Sequence, residues 1–308
     1  MHQQRPQPPV LSVQRASIEL TLASVLWGFG FIGARWALVS MGPLWITGLR
    51  FVLAFLLSLP LMILMAKKSD LLNMKENLRL AFWPGAFLGL TIIFQTWGLQ
   101  YTTATNSGFI TTLYVLFVPM FEALFFRKKL ELAHFVLVAI ALIGTALICD
   151  WSASVWNKGD FLTLLCALAA AGQIVWISRM AHKIKSPFGF NNFQSFWCGI
   201  IGVALALFFE PFRLEPINLR AVIGFCSLLF GSTLIAFFIQ VRAQRVLSST
   251  TASLLCLLES PFAAIFAYFF LSERLGPTQW SGAILIVFSA CFTIFLESRK
   301  NKASTHVI

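Results

Sequence analysis

Two charged side chains stand deep inside long apolar runs: Arg50 in "WITGLRFVLAFLL" and Glu259 in "LLCLLESPFAAIFAY". A charge in such a setting is costly and marks a candidate functional position. Arg50 sits about two turns from one end of its run. It either snorkels outward or lines a cavity and holds a carboxylate or phosphate. Glu259 lies about ten residues into its run, where snorkelling is hard. It pairs internally, caps a broken backbone, or binds a cationic group or proton. Glu19 and Glu122 lie near helix ends, where water or a basic neighbour such as Arg127 is within reach. Uncharged polar and aromatic groups join them: Gln95, Trp97, Asn106 and Tyr114 in one half, Gln173, Trp176, Gln194 and Gln240 in the other. Each alone reads as a helix–helix hydrogen bond or an interfacial aromatic. Their spread over both halves is what an amphipathic substrate cavity requires.

A third pattern, Gly28-Phe29-Gly30-Phe31-Ile32-Gly33, spells G-x-G-x-x-G. A dinucleotide site needs a strand before the first glycine, a helix opening at it, and an acidic residue about 20 residues on. Here "SIELTLASVLW" precedes it, and the later stretch "LRFVLAF" holds Arg50 and no carboxylate. The glycines instead allow close helix approach, through Ser24-x-x-x-Gly28 and Gly30-x-x-x-Ala34, or form a flexible gate. With Pro119 and Pro261, Gly28, Gly30 and Gly33 are the candidate packing or gating positions.

The elements that carry these groups follow from composition. The 308 residues are 58% hydrophobic and 11% charged, against about 25% charged in soluble domains. So few charges cannot cover a water-facing surface, and lipid must serve as solvent. The net charge of +11 would suggest nucleic acid in a soluble chain. Here the basic residues sit in short loops, so no nucleic-acid partner is expected. Ten runs are long enough to span: roughly 17–38, 44–66, 79–99, 103–126, 132–150, 160–181, 189–209, 219–241, 249–271 and 277–297. The polar "QYTTATNS" at 100–107 separates the third from the fourth. The cysteines (Cys149, Cys166, Cys198, Cys226, Cys256, Cys291) fall in or beside apolar runs without a C-x-x-C. His2, His134, His182 and His306 are scattered, so neither metal nor cofactor is expected. The Pro-rich N-terminus shows no cleavable signal pattern.

Of the 23 Lys and Arg, all but Arg35, Arg50, Lys158, Arg213, Arg220 and Arg274 fall on the side of the N-terminus. Excess Lys and Arg marks the cytoplasm, so both termini are expected there. The halves also resemble each other. Gln95 maps to Gln240 and "FRKKL" at 126–130 to "LSERL" at 271–275, both at offset 145; "TTAT" at 102–105 matches "TTAS" at 250–253 at 148. At 144, Arg50 falls on Gln194 and Arg35 on Arg179. Five spans per half make the second copy enter the membrane from the opposite side, an inverted repeat of the kind found in secondary transporters.

The stretch "LLCLLESPFAAIFAYFFLSERLGPTQWSGAILIVFSACF" (254–292), with Glu259-Ser260-Pro261, Glu273-Arg274-Leu275, Gln279 and Gly282, resembles the second repeat of EamA-type members of the drug/metabolite transporter superfamily. "FIQVRAQRVLSSTTASLL" (238–255) fits the same repeat, "TATNSGFITTLYVLFVPMFEALFFRKK" (103–129) resembles the matching part of the first, and "LWGFGFIGARWAL" the opening helix. One departure is visible: Lys128-Lys129 stand where the second half has Glu273-Arg274. The resemblance implies an all-α membrane protein of ten transmembrane helices in two inverted five-helix repeats. The expected divisions are a tail at 1–16, a first repeat at 17–150, a linker at 151–159, a second repeat at 160–297 and a basic tail at 298–308. It further implies alternating-access transport of a small polar metabolite across a bacterial-type inner membrane, an amino acid or related compound foremost and export the expected direction. The alternatives are uptake or exchange of S-adenosylmethionine or a nucleotide-type metabolite, and export of drugs or quaternary cations. No P-loop is present to use ATP, so a proton or counter-substrate would couple transport. The expected partners are a small-molecule substrate and the lipid bilayer, with a homodimer left open. An intramembrane enzyme would need a nucleophile paired with a base, and the sequence offers no G-x-S-x-G; a non-transporting accessory subunit is the other rival.

Overall fold

The computed structural model describes residues 11–65, 74–127, 132–148, 157–212, 215 and 218–305. Among them every regular element is helical. The order is α1 (Val13–Ala37), α2 (Pro43–Met65), α3 (Met74–Leu80), α4 (Phe82–Gly98), α5 (Ala104–Thr111), α6 (Tyr114–Phe126) and α7 (Leu132–Ile148). Then come α8 (Lys158–Met180), a short 3₁₀ turn (Ala181–Lys183), α9 (Pro187–Phe209), α10 (Leu219–Cys226), a π-helical stretch (Ser227–Ala236), α11 (Phe237–Ala243), α12 (Ser249–Cys256), α13 (Glu259–Leu271) and α14 (Pro277–Thr305). Among the described residues, eight segments are long and apolar enough to cross a membrane. A ninth is formed if α3 and α4, bent by 46°, count as one span, and Leu132–Leu147 is a shorter apolar helix. The chain is an integral membrane protein. Lys128, Lys129, Cys149, His2 and His306 lie outside the described residues.

Local chemistry sets the helix ends. Ser12, Thr103, Asn157, Ser186, Asn218 and Ser248 are N-caps, each accepting a hydrogen bond from a backbone N–H one turn on, as these residue types do. Asn157 and Asp160 complete a capping box at α8. The polar stretch at 100–107 does break the chain between α4 and α5. Two spans are broken in the middle: α5 and α6 meet at Thr112-Leu113, and α12 and α13 at Leu257-Leu258. The broken pairs match in length, eight residues for α5 and α12 and thirteen for α6 and α13. Their starts lie at 104 and 249, and at 114 and 259. Both second halves stop at a non-glycine residue with positive φ, Arg127 (51°) and Ser272 (58°). The N-caps Thr103 and Ser248 keep the same spacing. The backbone thus repeats at 145 straight through the region where "TTAT" and "TTAS" align at 148.

The main packing pairs are α2 with α9, α4 with α8, α7 with α14, and α1 with α13 and the π-helical stretch. The glycines of "GFGFIG" sit inside α1 and face those partners. A Cβ on Gly28 would lie 2.6 Å from the Phe262 Cβ and 2.9 Å from the Ala263 nitrogen. One on Gly33 would lie 2.9 Å from the Gly224 carbonyl oxygen. Both glycines are therefore required for close backbone approach.

Candidate functional site

Where α1, α2, α4, the two broken spans, α8, the π-helical stretch and α11 converge, a central cavity of about 60 Å³ remains. Six of the residues singled out in the sequence line it: Arg50, Gln95, Tyr114, Gln173, Gln240 and Glu259. Gly30 lines it as well.

Arg50 is 3% exposed. Its Nε donates to Thr233 Oγ1 at 3.0 Å, and its guanidinium lies 4.8 Å from the Phe51 ring centre. It forms no ion pair among the described residues. Glu259 is 6% exposed and stands in the first turn of α13. A helix N-terminus in mid-span favours a negative charge there. Tyr114, the first residue of α6, lines the same cavity, and neither Tyr114 Oη nor Glu259 Oε1 completes a hydrogen bond among the described residues. A base and an acid thus line one cavity, each with donors or acceptors left over. Such a pair suits a ligand that carries both charges.

The uncharged groups close the walls. Gln173 and Gln240 exchange hydrogen bonds in both directions, at 3.2 and 3.0 Å. Gln95 Nε2 donates to Thr111 Oγ1 at 3.3 Å. The Trp27 indole donates to the Ser232 carbonyl at 3.3 Å, and the Ser232 hydroxyl donates to the Leu26 carbonyl at 3.2 Å. That exchange ties α1 to the π-helical stretch, whose loose hydrogen bonding often marks functional positions. Trp27, Thr91, Thr96, Thr111, Ser232 and Cys256 also line the cavity and were not singled out in the sequence. Ser and Thr are unremarkable in a span, because the hydroxyl can bond the carbonyl one turn back, as Thr91 does to Phe87.

The other candidates lie elsewhere. Trp97 lines a separate hollow with Gln100 and Glu210 at one end of the bundle, and Lys158 Nζ sits 5.5 Å from its ring centre. Glu210 there accepts from the Leu44 N–H; burial pushes its carboxyl above the usual range, against the opposing effect of hydrogen bonds from Leu44 and Trp45. Trp176 packs 5.9 Å from Trp83. Asn106 opens α5, its N–H held by Thr103 Oγ1. Gln194 is fully buried on α9, outside the cavity lining. Pro119 and Pro261 are buried in α6 and α13.

The opposite end, where Arg242 approaches Glu19 of α1 at 3.5 Å, opens as a funnel of about 940 Å³ lined by Arg179, His182, Lys183 and Arg245. We call it the terminal face and the Trp97 end the far face. A carboxylate sits at each end. Glu122, near the end of α6, accepts from Ser249 Oγ (2.5 Å) and Thr250 Oγ1 (3.2 Å) at the start of α12. Glu273, just past α13, accepts from the N–H groups of Ala104 and Thr105 (3.0 Å each) and from Thr105 Oγ1 at the start of α5. Each broken span is pinned at its start by a carboxylate from the other.

A helical membrane protein with a buried base and a buried acid lining one cavity at its broken spans is the architecture of a solute carrier. The EamA-like transporter family matches residues 15–149 and 157–295, and the chain belongs to that family. An uncharacterized transporter of Archaeoglobus fulgidus is 33% identical over 272 residues, covering 88% of this chain and 83% of that protein. A probable amino-acid metabolite efflux pump of Escherichia coli is 24% identical, covering 89% and 93%. An S-adenosylmethionine/S-adenosylhomocysteine transporter of Chlamydia trachomatis is 25% identical, covering 83% and 82%. A solved crystal structure with 16% identity superposes with a TM-score of 0.72, covering 92% of this chain and 98% of that one, and shares the fold.

Proposed function

We propose that this chain is a secondary active transporter that exports a small zwitterionic metabolite, an amino acid or close relative, across the inner membrane by alternating access. The observation that carries the reading is the pair Arg50 and Glu259: opposite charges, both buried, lining one cavity without an ion pair. In the proposed complex Arg50 holds the solute carboxylate and Glu259, with Tyr114, its ammonium group. The spacing of 145 between the broken spans supports ten helices in two inverted repeats, at 17–150 and 160–297, with α7 as the short fifth span. The excess of Lys and Arg at the terminal face supports a cytoplasmic location for both termini.

S-adenosylmethionine carries the same amino-acid head group, so the Chlamydia relative fits the same two contacts. A quaternary cation without a carboxylate would leave Arg50 facing an unpaired positive charge. The test is a thermal-shift panel of amino acids, S-adenosylmethionine, nucleotide sugars and quaternary cations on the detergent-purified protein, followed by flux in proteoliposomes. A ligand that binds only the folded form raises its apparent stability. A saturable shift with zwitterions that is lost in Arg50→Ala and Glu259→Gln supports the reading. Shifts from cations alone, unchanged in Arg50→Ala, would overturn it, and no flux of any solute would favour an accessory subunit.

A further inference from the structure

One helix carries polar side chains that the proposed function does not absorb. On α9, "FNNFQSF" (190–196) places Asn191, Asn192, Gln194 and Ser195 in the interior, each at most 3% exposed. Asn191 Oδ1, both polar atoms of Asn192, both of Gln194 and Ser195 Oγ have no hydrogen-bond partner among the described residues. Orphaned polar atoms inside a protein are rare, and each is costly unless water or a ligand satisfies it in some state. The same chemistry is satisfied close by: Gln173 and Gln240 bond each other, and Gln244 Nε2 donates to the Ile174 carbonyl and to Ser178 Oγ, both at 2.8 Å. Gln173 and Gln240 thus pair fully with each other and Gln244 keeps two bonds from its amide nitrogen, with only its oxygen left over, whereas Asn192 and Gln194 of α9 are orphaned at both polar atoms among the described residues.

Their position gives the orphans a direction. Positions 191, 194, 195 and 198 lie on one face of a helix, and Asn192 borders that face, three residues before Ser195. Cys198, at the inner end of this stripe, packs with the cavity-lining Leu88 and Phe237. The stripe runs from there toward the start of α9, just after the turn that lines the terminal-face funnel. The distance from Cys198 to Asn191 is about 10 Å along the helix.

We propose that Asn191, Asn192, Gln194 and Ser195 form a second solute subsite, on the route between the central cavity and the terminal face, that is shut in this state. The proposal rests on the transporter reading. The stripe carries no charge but offers both donors and acceptors. It takes a small, hydrogen-bonding, zwitterionic or neutral polar solute with its remaining water, and gives no counter-charge to a simple ion.

The first experiment needs no substrate. Ser195→Cys and, separately, Ala206→Cys are made in a chain whose native cysteines are replaced. Ala206 lies on the same helix and is fully buried in apolar packing. Inside-out vesicles are treated with a membrane-impermeant methanethiosulfonate. The expected result is modification of the Ser195→Cys protein faster by on the order of tenfold, because an opening route exposes the thiol while a packed core does not. Equal, slow modification of both would overturn the proposal. The second measurement uses Asn192→Leu, which removes two orphaned polar atoms and keeps the branched shape of the side chain. The expected result is an unchanged or higher melting temperature, an unchanged thermal shift by the transported amino acid, and a flux lower by about fivefold or more. Unchanged flux, or a fall in stability, would make the cluster structural and overturn it. If no panel solute binds the wild type, the transporter reading fails separately, and the thiol rates still decide whether the route opens.

Discussion

The broken spans α5–α6 and α12–α13 share a backbone plan and differ in chemistry. Each is eight helical residues, a two-residue break and thirteen more, ended by a residue with positive φ. At the break, where the second half-helix begins, one has Tyr114 and the other Glu259. The carboxylates that pin them differ too. Glu273 takes two backbone N–H groups and a hydroxyl of α5, whereas Glu122 takes two hydroxyls of α12. Lys128-Lys129 opposite Glu273-Arg274 suggested that the first half lacks this carboxylate. Glu122, more than one and a half turns earlier in the repeat, holds the start of α12 in its place. A repeated backbone thus fixes the architecture, while the charge at the break and the strength of the two latches are free to diverge.

The largest expected effect tests the asymmetry at the break. Glu259→Gln should lower flux on the order of 100-fold, the scale of removing one partner of a buried charge pair, with folded yield largely kept. Equal loss of folded protein would make Glu259 a structural residue instead. Next, Glu273→Gln weakens charge-assisted bonds at a helix N-terminus, with an expected cost of about 1–2 kcal/mol. That is a fall of roughly 2–8 °C in apparent melting temperature. Glu122→Gln should cost less, about 0.5–1 kcal/mol, because one hydroxyl can still donate to the amide oxygen while the other turns to accept from the amide NH2. A melting scan of both variants checks the ranking; a larger loss in Glu122→Gln would reverse the assignment of the stronger latch. Smallest of all, Tyr114→Phe removes a hydroxyl that completes no hydrogen bond here. Stability should stay within about 0.5 kcal/mol, while the apparent affinity for an amino acid weakens by about threefold, read as a displaced midpoint in the ligand titration. A Tyr114→Phe loss as large as that of Glu259→Gln would erase the proposed difference between the two break positions.

The sequence by itself determined the apolar runs, the helix caps, the break at 100–107 and the charge asymmetry between the faces. These depend on composition and on neighbours within a turn. It also singled out Arg50 and Glu259, because a charge deep in an apolar run is conspicuous wherever its helix points. It dismissed the G-x-G-x-x-G, and the fold shows the reason in Phe262, Ala263 and Gly224 packed against those glycines. Only the tertiary structure decided which polar groups meet. It gathered Gln95, Tyr114, Gln173 and Gln240 around the charges and left Trp97, Asn106, Trp176 and Gln194 elsewhere. It also added Trp27, Thr111 and Ser232, which nothing in the chain flagged. The physical reason is that lipid and protein interior are equally apolar. A membrane helix therefore carries only a weak hydrophobic stripe to announce its rotation, and its inward face is set by small-residue contacts and hydrogen bonds to helices far away in the chain.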